Sequence, residues 1–157
     1  MGMKYLAYGS NINSERMRDR EIGFLTREHA VLGGWRLKFN KVAFRNPKEG
    51  YANIVKDEEG IVEGVLYEIR ESDLSNRESD LSKLDGYEGH PKHYKRTKVK
   101  VKLDNGREVE AITYIAQKDK IREGLKPTRE YLNHLLKGCD ILSEEYCEKL
   151  KRWETLD

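Results

Sequence analysis

The sequence predicts an α+β fold, a single domain over residues 1–157 built on a curved or barrel-like mixed β-sheet with flanking helices. Strand-like runs dominate the first two-thirds of the chain. Helix signals punctuate them and take over toward the end. No low-complexity linker divides the 157 residues, and a chain of that length can bury a core without metal or disulfide.

Tyr5-Leu6-Ala7-Tyr8 reads as a short buried strand, stopped by Gly9-Ser10-Asn11. Asn13 or Ser14 can then cap a short helix carrying Met17. Leu25 to Phe44 is strand-like and broken at Gly33-Gly34, which predicts a bulge or turn. Tyr51 to Val55 and Ile61 to Ile69 read as two further strands. Gly64, inside the second, marks a place where backbone or ligand can approach closely.

Residues 71–84 read as a helix with Leu74, Leu81 and Leu84 on one face. Within it Glu71-Ser72-Asp73-Leu74-Ser75 recurs as Glu78-Ser79-Asp80-Leu81-Ser82. Seven residues are almost two helical turns, so such a duplication turns the following face by only about 20°. It reads as a helix lengthened in tandem. A loop over Asp85 to His93 leads to a hairpin, Tyr94–Leu103 and Glu108–Gln117, around Asn105-Gly106. Pro127-Thr128 opens a helix running through Leu136 and ended by Gly138. Ser143 caps a last helix carrying Tyr146, Leu150 and Trp153.

Composition narrows the function classes. Thirty Lys and Arg residues against 28 Asp and Glu leave a net charge of only +2, without the basic excess of a dedicated nucleic-acid binder. The basic face Arg96, Lys98, Lys100 and Lys102 reads as a solvated strand face opposite Glu108 and Glu110. Charged residues make up 37% of the chain and Pro only three positions, which suits the ion-pair-rich surface of a thermophile. Cys139 and Cys147 match no zinc spacing and are expected to be reduced. The start of the chain lacks a signal-peptide pattern, and no apolar stretch approaches membrane-spanning length, so a cytoplasmic setting is expected.

Two segments offer chemistry. At Tyr8-Gly9-Ser10-Asn11 a buried strand turns toward a helix start, where backbone N–H groups without strand partners can face an anion or a carbonyl oxygen. At Leu84-Asp85-Gly86-Tyr87-Glu88-Gly89 a carboxylate stands between glycines beside a tyrosine. Burial there would raise its pKa and fit it for proton transfer. Taken alone, the first segment reads as a plain turn and the second as an exposed acidic loop. His90 and His93 have no third ligand and are not expected to hold a metal. Ser10 lacks the flanking glycines of a nucleophile elbow, which makes it a binding rather than a covalent residue.

In this order and at this separation the two segments resemble the γ-glutamyl cyclotransferases, a group that includes γ-glutamylamine cyclotransferases and avirulence-induced-gene-like proteins. Weaker marks are Ala52 in Tyr51–Val55, Glu63-Gly64-Val65, Tyr94, Tyr114, the Pro127–Tyr131 helix start, and Tyr146 and Leu150 beyond Gly138. The resemblance implies that family's fold and a cofactor-free intramolecular aminolysis. The α-amino group of a small γ-glutamyl substrate attacks its γ-carbonyl, releasing 5-oxoproline and an amine or amino acid. It implies Glu88 as the acid/base. Tyr8, Gly9, Ser10, Asn11, Tyr94, Tyr114 and Tyr131 would bind substrate, with each of the last three phenols orienting a carboxylate. Alternatives are a γ-glutamylamine or other γ-glutamyl substrate on the same fold, and a non-catalytic module binding a small metabolite. No nucleic acid, membrane, metal or cofactor partner is expected, and the protein would be a monomer or homodimer.

Overall fold

The computed structural model describes residues 2–70 and 79–157. Five strands close a mixed barrel in the order β1-β3-β2-β4-β5. They are β1 (Gly2–Ala7), β2 (Thr26–Val42), β3 (Gly50–Arg70), β4 (Tyr94–Leu103) and β5 (Glu108–Ala116). Neighbours run antiparallel except at the seam, where β1 meets β5 in parallel at Tyr5 and Ile112. Closure removes the exposed sheet edge. Thr113 reinforces the seam by donating from Oγ1 to the Leu6 carbonyl at 2.8 Å.

Four short helices flank the barrel: α1 (Ser14–Asp19), α2 (Asp80–Glu88), α3 (Arg129–Leu136) and α4 (Glu144–Lys151). Each has a polar N-cap whose side chain accepts a backbone N–H: Asn13, Ser79, Thr128 and Ser143. Ser143 also donates from N and Oγ to Glu63 on β3, at 2.8 and 2.6 Å, which fixes the start of α4 against the barrel. No helix among the described residues is long and apolar enough to cross a membrane.

The structure departs from the sequence expectations in four places. Tyr51–Val55 and Ile61–Ile69 belong to one strand, β3. Gly33 pairs with Ile61 and Trp35 with Lys56, so the intervening acidic residues bulge without ending the ladder. Gly34, at φ +85, stands at this irregularity. The supposed loop after Leu84 is helical through Glu88. Gly86 is exposed with nothing for a Cβ to meet, and the helix ends only at Gly89, φ +64. Cys139 and Cys147 are joined in a disulfide, because Cys147 points from α4 into the core beside the exit of α3. Trp153 lies just beyond α4 and packs edge-on against Phe39 at 4.9 Å. Most of the repeat, residues 71–78, lies outside the described residues.

Of the second copy, Asp80 is fully buried at the start of α2. It accepts from the N–H of Gly23 at 3.0 Å and from N and Nε of Arg70 at 3.1 Å. That carboxylate ties α2 to the end of β3 and to the segment before β2. Arg96 and Tyr114 hold the other end of the helix through Asp85.

Candidate active site

Tyr8 ends the β1 segment in the core, and the chain turns through Gly9 into a single 3-10 turn at Ser10–Ile12. Buried Tyr67 pins that turn by donating its hydroxyl to the carbonyls of Asn11 and Ile12, at 2.7 and 3.1 Å. The amides of Gly9, Ser10 and Asn11 find no acceptor among the described residues, as expected of N–H groups at a helical start. A Cβ on Gly9 would lie 3.0 Å from the Ala52 Cβ and 3.4 Å from the Tyr131 hydroxyl. Only glycine leaves that space open.

Glu88, in the last turn of α2, reaches this turn from the opposite wall. The two flank a small inner chamber of about 30 Å³, which opens into a vestibule of about 300 Å³. All eight residues singled out in the sequence line the inner chamber: Tyr8, Gly9, Ser10, Asn11, Glu88, Tyr94, Tyr114 and Tyr131. The Glu88 carboxylate makes no hydrogen bond or ion pair with another described residue. Burial pushes its pKa up to about 7, opposed in turn by Arg20, Arg16 and Lys41. The residue stays only half-buried, because its carboxylate faces the cavity.

The tyrosines are less free than expected. Tyr8 donates to the Tyr114 carbonyl. Tyr94 donates to the Ala52 carbonyl at 2.7 Å, and Tyr114 donates to Asp85 Oδ1 at 2.6 Å. Of the three phenols expected to orient a carboxylate, Tyr94 and Tyr114 have spent their protons on the protein. Tyr131 instead accepts from the Ala52 N–H at 3.0 Å, so its own proton remains available to the cavity. Burial raises the pKa of all four, keeping them neutral. Asn11 is likewise committed: it donates to the Tyr5 hydroxyl at 3.1 Å and accepts from Arg20 at 2.9 Å.

Sequence reasoning missed the cations. Arg16, Arg20 and Lys41 line the vestibule together with Tyr51 and His93. Arg16 and Arg20 follow the Gly-Ser-Asn turn at an i,i+4 spacing, a signal that was present. Lys41 lies on β2, and nothing local in the sequence sends a lysine inward. Among the described residues no group of His, Cys, Asp or Glu is arranged to hold a metal ion. The arrangement can hold an anionic or carbonyl-bearing molecule at the free amides and move a proton on and off it with Glu88.

A profile of the family described as gamma-glutamyl cyclotransferase, AIG2-like, matches residues 5–133. Over 72 residues the chain is 39% identical to a Methanocaldococcus jannaschii protein that bears the provisional name gamma-glutamylcyclotransferase. The aligned stretch is 43% of this chain and 57% of that relative, little more than half its length. A solved gamma-glutamyl cyclotransferase has a TM-score of 0.81 at 27% identity, over 100% of this chain and 90% of that one. An uncharacterized human protein has a TM-score of 0.81 at 28% identity, covering 99% and 90% of the two chains.

Proposed function

We propose, from the premise that this chain belongs to the gamma-glutamyl cyclotransferase, AIG2-like family, that it is an enzyme that cyclises the glutamyl part of a γ-glutamyl amide to 5-oxoproline and releases the amine. The observation that carries this reading is that the partnerless Glu88 carboxylate lines one small chamber with Gly9, Ser10 and Asn11, whose amides have no acceptor among the described residues. The substrate brings its own nucleophile, so the protein has to hold a near-attack geometry and manage protons.

The α-ammonium of the substrate must lose a proton before it can attack. Glu88, titrating near neutrality, takes it when ionised and returns it to the departing nitrogen. The amides at the turn hold the glutamyl head and face the oxygen on which negative charge develops. Tyr131 and Tyr5, whose hydroxyls only accept hydrogen bonds, add phenols with uncommitted protons, while Tyr8, Tyr94 and Tyr114 wall the chamber. An amino-acid leaving group, which carries a carboxylate, suits the cationic vestibule better than a simple alkyl amine, which offers Arg16, Arg20 and Lys41 no anion. A module that only bound an acidic metabolite would gain nothing from a carboxylate in its cavity.

A thermophilic, cytoplasmic setting belongs to the same proposal. The Lys- and Glu-rich composition supports it, and intracellular proteins of hyperthermophiles carry disulfides such as Cys139–Cys147. The deciding assay is 5-oxoproline release from a panel of γ-glutamyl dipeptides, glutathione and γ-glutamyl-lysine. Turnover of a dipeptide establishes the reaction. Binding without turnover of any member would leave a binding module instead.

A further inference from the structure

Several charged groups among the described residues form ion pairs. Lys4 meets Glu68, Arg27 meets Asp140 and Lys126 meets Glu154. The three cations of the vestibule have no such partner among these residues, although they face inward. Arg16 donates from Nε to the Ser10 hydroxyl at 3.0 Å, and its terminal nitrogen faces His134 at 3.5 Å. Arg20 donates to Asn11 at 2.9 Å and lies over the Tyr87 ring at 4.7 Å. Lys41, only 2% exposed, gives one hydrogen bond to the Val42 carbonyl at 3.1 Å. Its ammonium sits 5.0 to 5.8 Å from the ring centres of Phe44, Tyr51 and Tyr94. None of the three has a carboxylate within ion-pair distance among the described residues. Among the described residues Glu88 is the only acid on the vestibule wall.

A buried ammonium held only by rings and one carbonyl is costly unless something anionic completes it. The inner amides account for the glutamyl end of a substrate. The departing amine therefore sits among the cations, and an ordinary α-amino acid offers them a single carboxylate. We propose that the Arg16–Arg20–Lys41 vestibule selects leaving groups bearing two carboxylates, so that the favoured substrates are γ-glutamyl conjugates of acidic amino acids. This rests on the reaction proposed above and specifies its substrate class. The aromatic walls add to the selection, since they exclude the water that would otherwise screen the second charge.

The test compares γ-glutamylglutamate with γ-glutamylglutamine, which differ by one charge at nearly equal shape. It reads kcat/KM for 5-oxoproline release, and calorimetric binding to Glu88→Gln protein, where turnover does not intrude. Wild type should favour the glutamate conjugate about tenfold or more, the usual worth of a charge-assisted contact. The preference should shrink as salt is raised. Arg20→Gln and Lys41→Gln should each remove most of it; Arg20 is half-exposed, so its variant is expected to fold even if the other does not. Equal kcat/KM and equal binding for the two conjugates, or an undiminished preference in the folded variants, overturns the proposal while leaving the reaction standing. Selective, cation-dependent binding of the glutamate conjugate without 5-oxoproline from either would overturn the reaction and keep the vestibule. Binding of neither conjugate overturns the vestibule too.

Discussion

The Tyr114 phenol donates to Asp85 Oδ1 at 2.6 Å, and Asp85 stands one helical turn before Glu88 on α2. Arg96 takes the other oxygen of that carboxylate, also at 2.6 Å. Two adjacent barrel strands thus grip the helix from which Glu88 projects. Asp85 is a positioning residue, and the orientation of the proposed acid/base is set by the sheet.

Tyr114→Phe removes the Tyr114 half of that grip, while Arg96 still holds Asp85 and the Tyr114 carbonyl that receives Tyr8 is retained. It leaves one oxygen of a partly buried carboxylate unpaired, which should lower stability by about 1–3 kcal/mol. The larger expected effect is on kcat, about tenfold or more if Glu88 drifts by a fraction of an ångström. KM should change little. Steady-state kinetics with thermal melts separate the two effects, and an unchanged kcat would show that the Tyr114–Asp85 bond does not position Glu88.

Gly9→Ala tests the opposite wall. The added methyl would press on Ala52 at 3.0 Å and on the Tyr131 hydroxyl at 3.4 Å. Either neighbour must shift by a few tenths of an ångström, which narrows the chamber and disturbs the bond from the Ala52 N–H to Tyr131. The fold should persist, because the crowding is confined to the cavity rim. Catalytic efficiency should fall at least about tenfold, and kcat/KM alongside circular dichroism would show it.

How much of this was legible beforehand depended on whether the signal was local. The strand-turn-cap at Tyr8–Asn13 and the Leu84–Gly89 stretch are contiguous, so their residue types announced both walls of the chamber. The end of α2 was misplaced because Gly86 looks like a breaker. In an exposed helical position it costs only about 1 kcal/mol, less than Asp85 recovers from Arg96 and Tyr114. Tyr51–Val55 and Ile61–Ile69 read as separate strands for a similar reason, since the polar residues between them bulge within one strand and carry no strand pattern of their own. The vestibule was not legible, because α1 and β2 bring Arg16, Arg20 and Lys41 together only when the barrel closes. The commitment of the phenols to Asp85 and to the Tyr114 and Ala52 carbonyls is also a fact of tertiary structure.

The repeat makes a prediction about tolerance. Deleting Glu71–Arg77 removes one copy and brings Arg70 to within three residues of Asp80 in sequence. The two already touch, with Arg70 N 3.1 Å from the Asp80 carboxylate. A three-residue connection can span about 10 Å, enough to join them without moving α2. The shortened protein should fold with a melting temperature within a few degrees of the parent and retain its activity. A large drop would show that the deleted residues are packed.

Glu88→Gln addresses the chemistry itself, and its effects on rate and stability should run in opposite directions. The substitution keeps the shape and removes the base, so turnover should fall about 10²–10⁴-fold, the usual worth of a positioned general base. In the parent, kcat should rise with pH through about 7, where Glu88 ionises, rather than near the ordinary glutamate value of 4.5. Because the folded pKa lies above the unfolded one, the native state holds this proton more tightly than the unfolded chain does. The linkage therefore lowers stability as pH climbs from about 4.5 to about 7, and the full penalty, roughly 3 kcal/mol, applies above that. Gln carries no such penalty. The variant should melt higher than the parent at pH 8, and the advantage should vanish near pH 4. The measurements are 5-oxoproline release across pH for the parent and melting curves of both proteins at the two pH values. A variant with near-parental turnover would remove Glu88 from the mechanism. A stability difference that stays flat with pH would mean that its carboxyl is not held near 7.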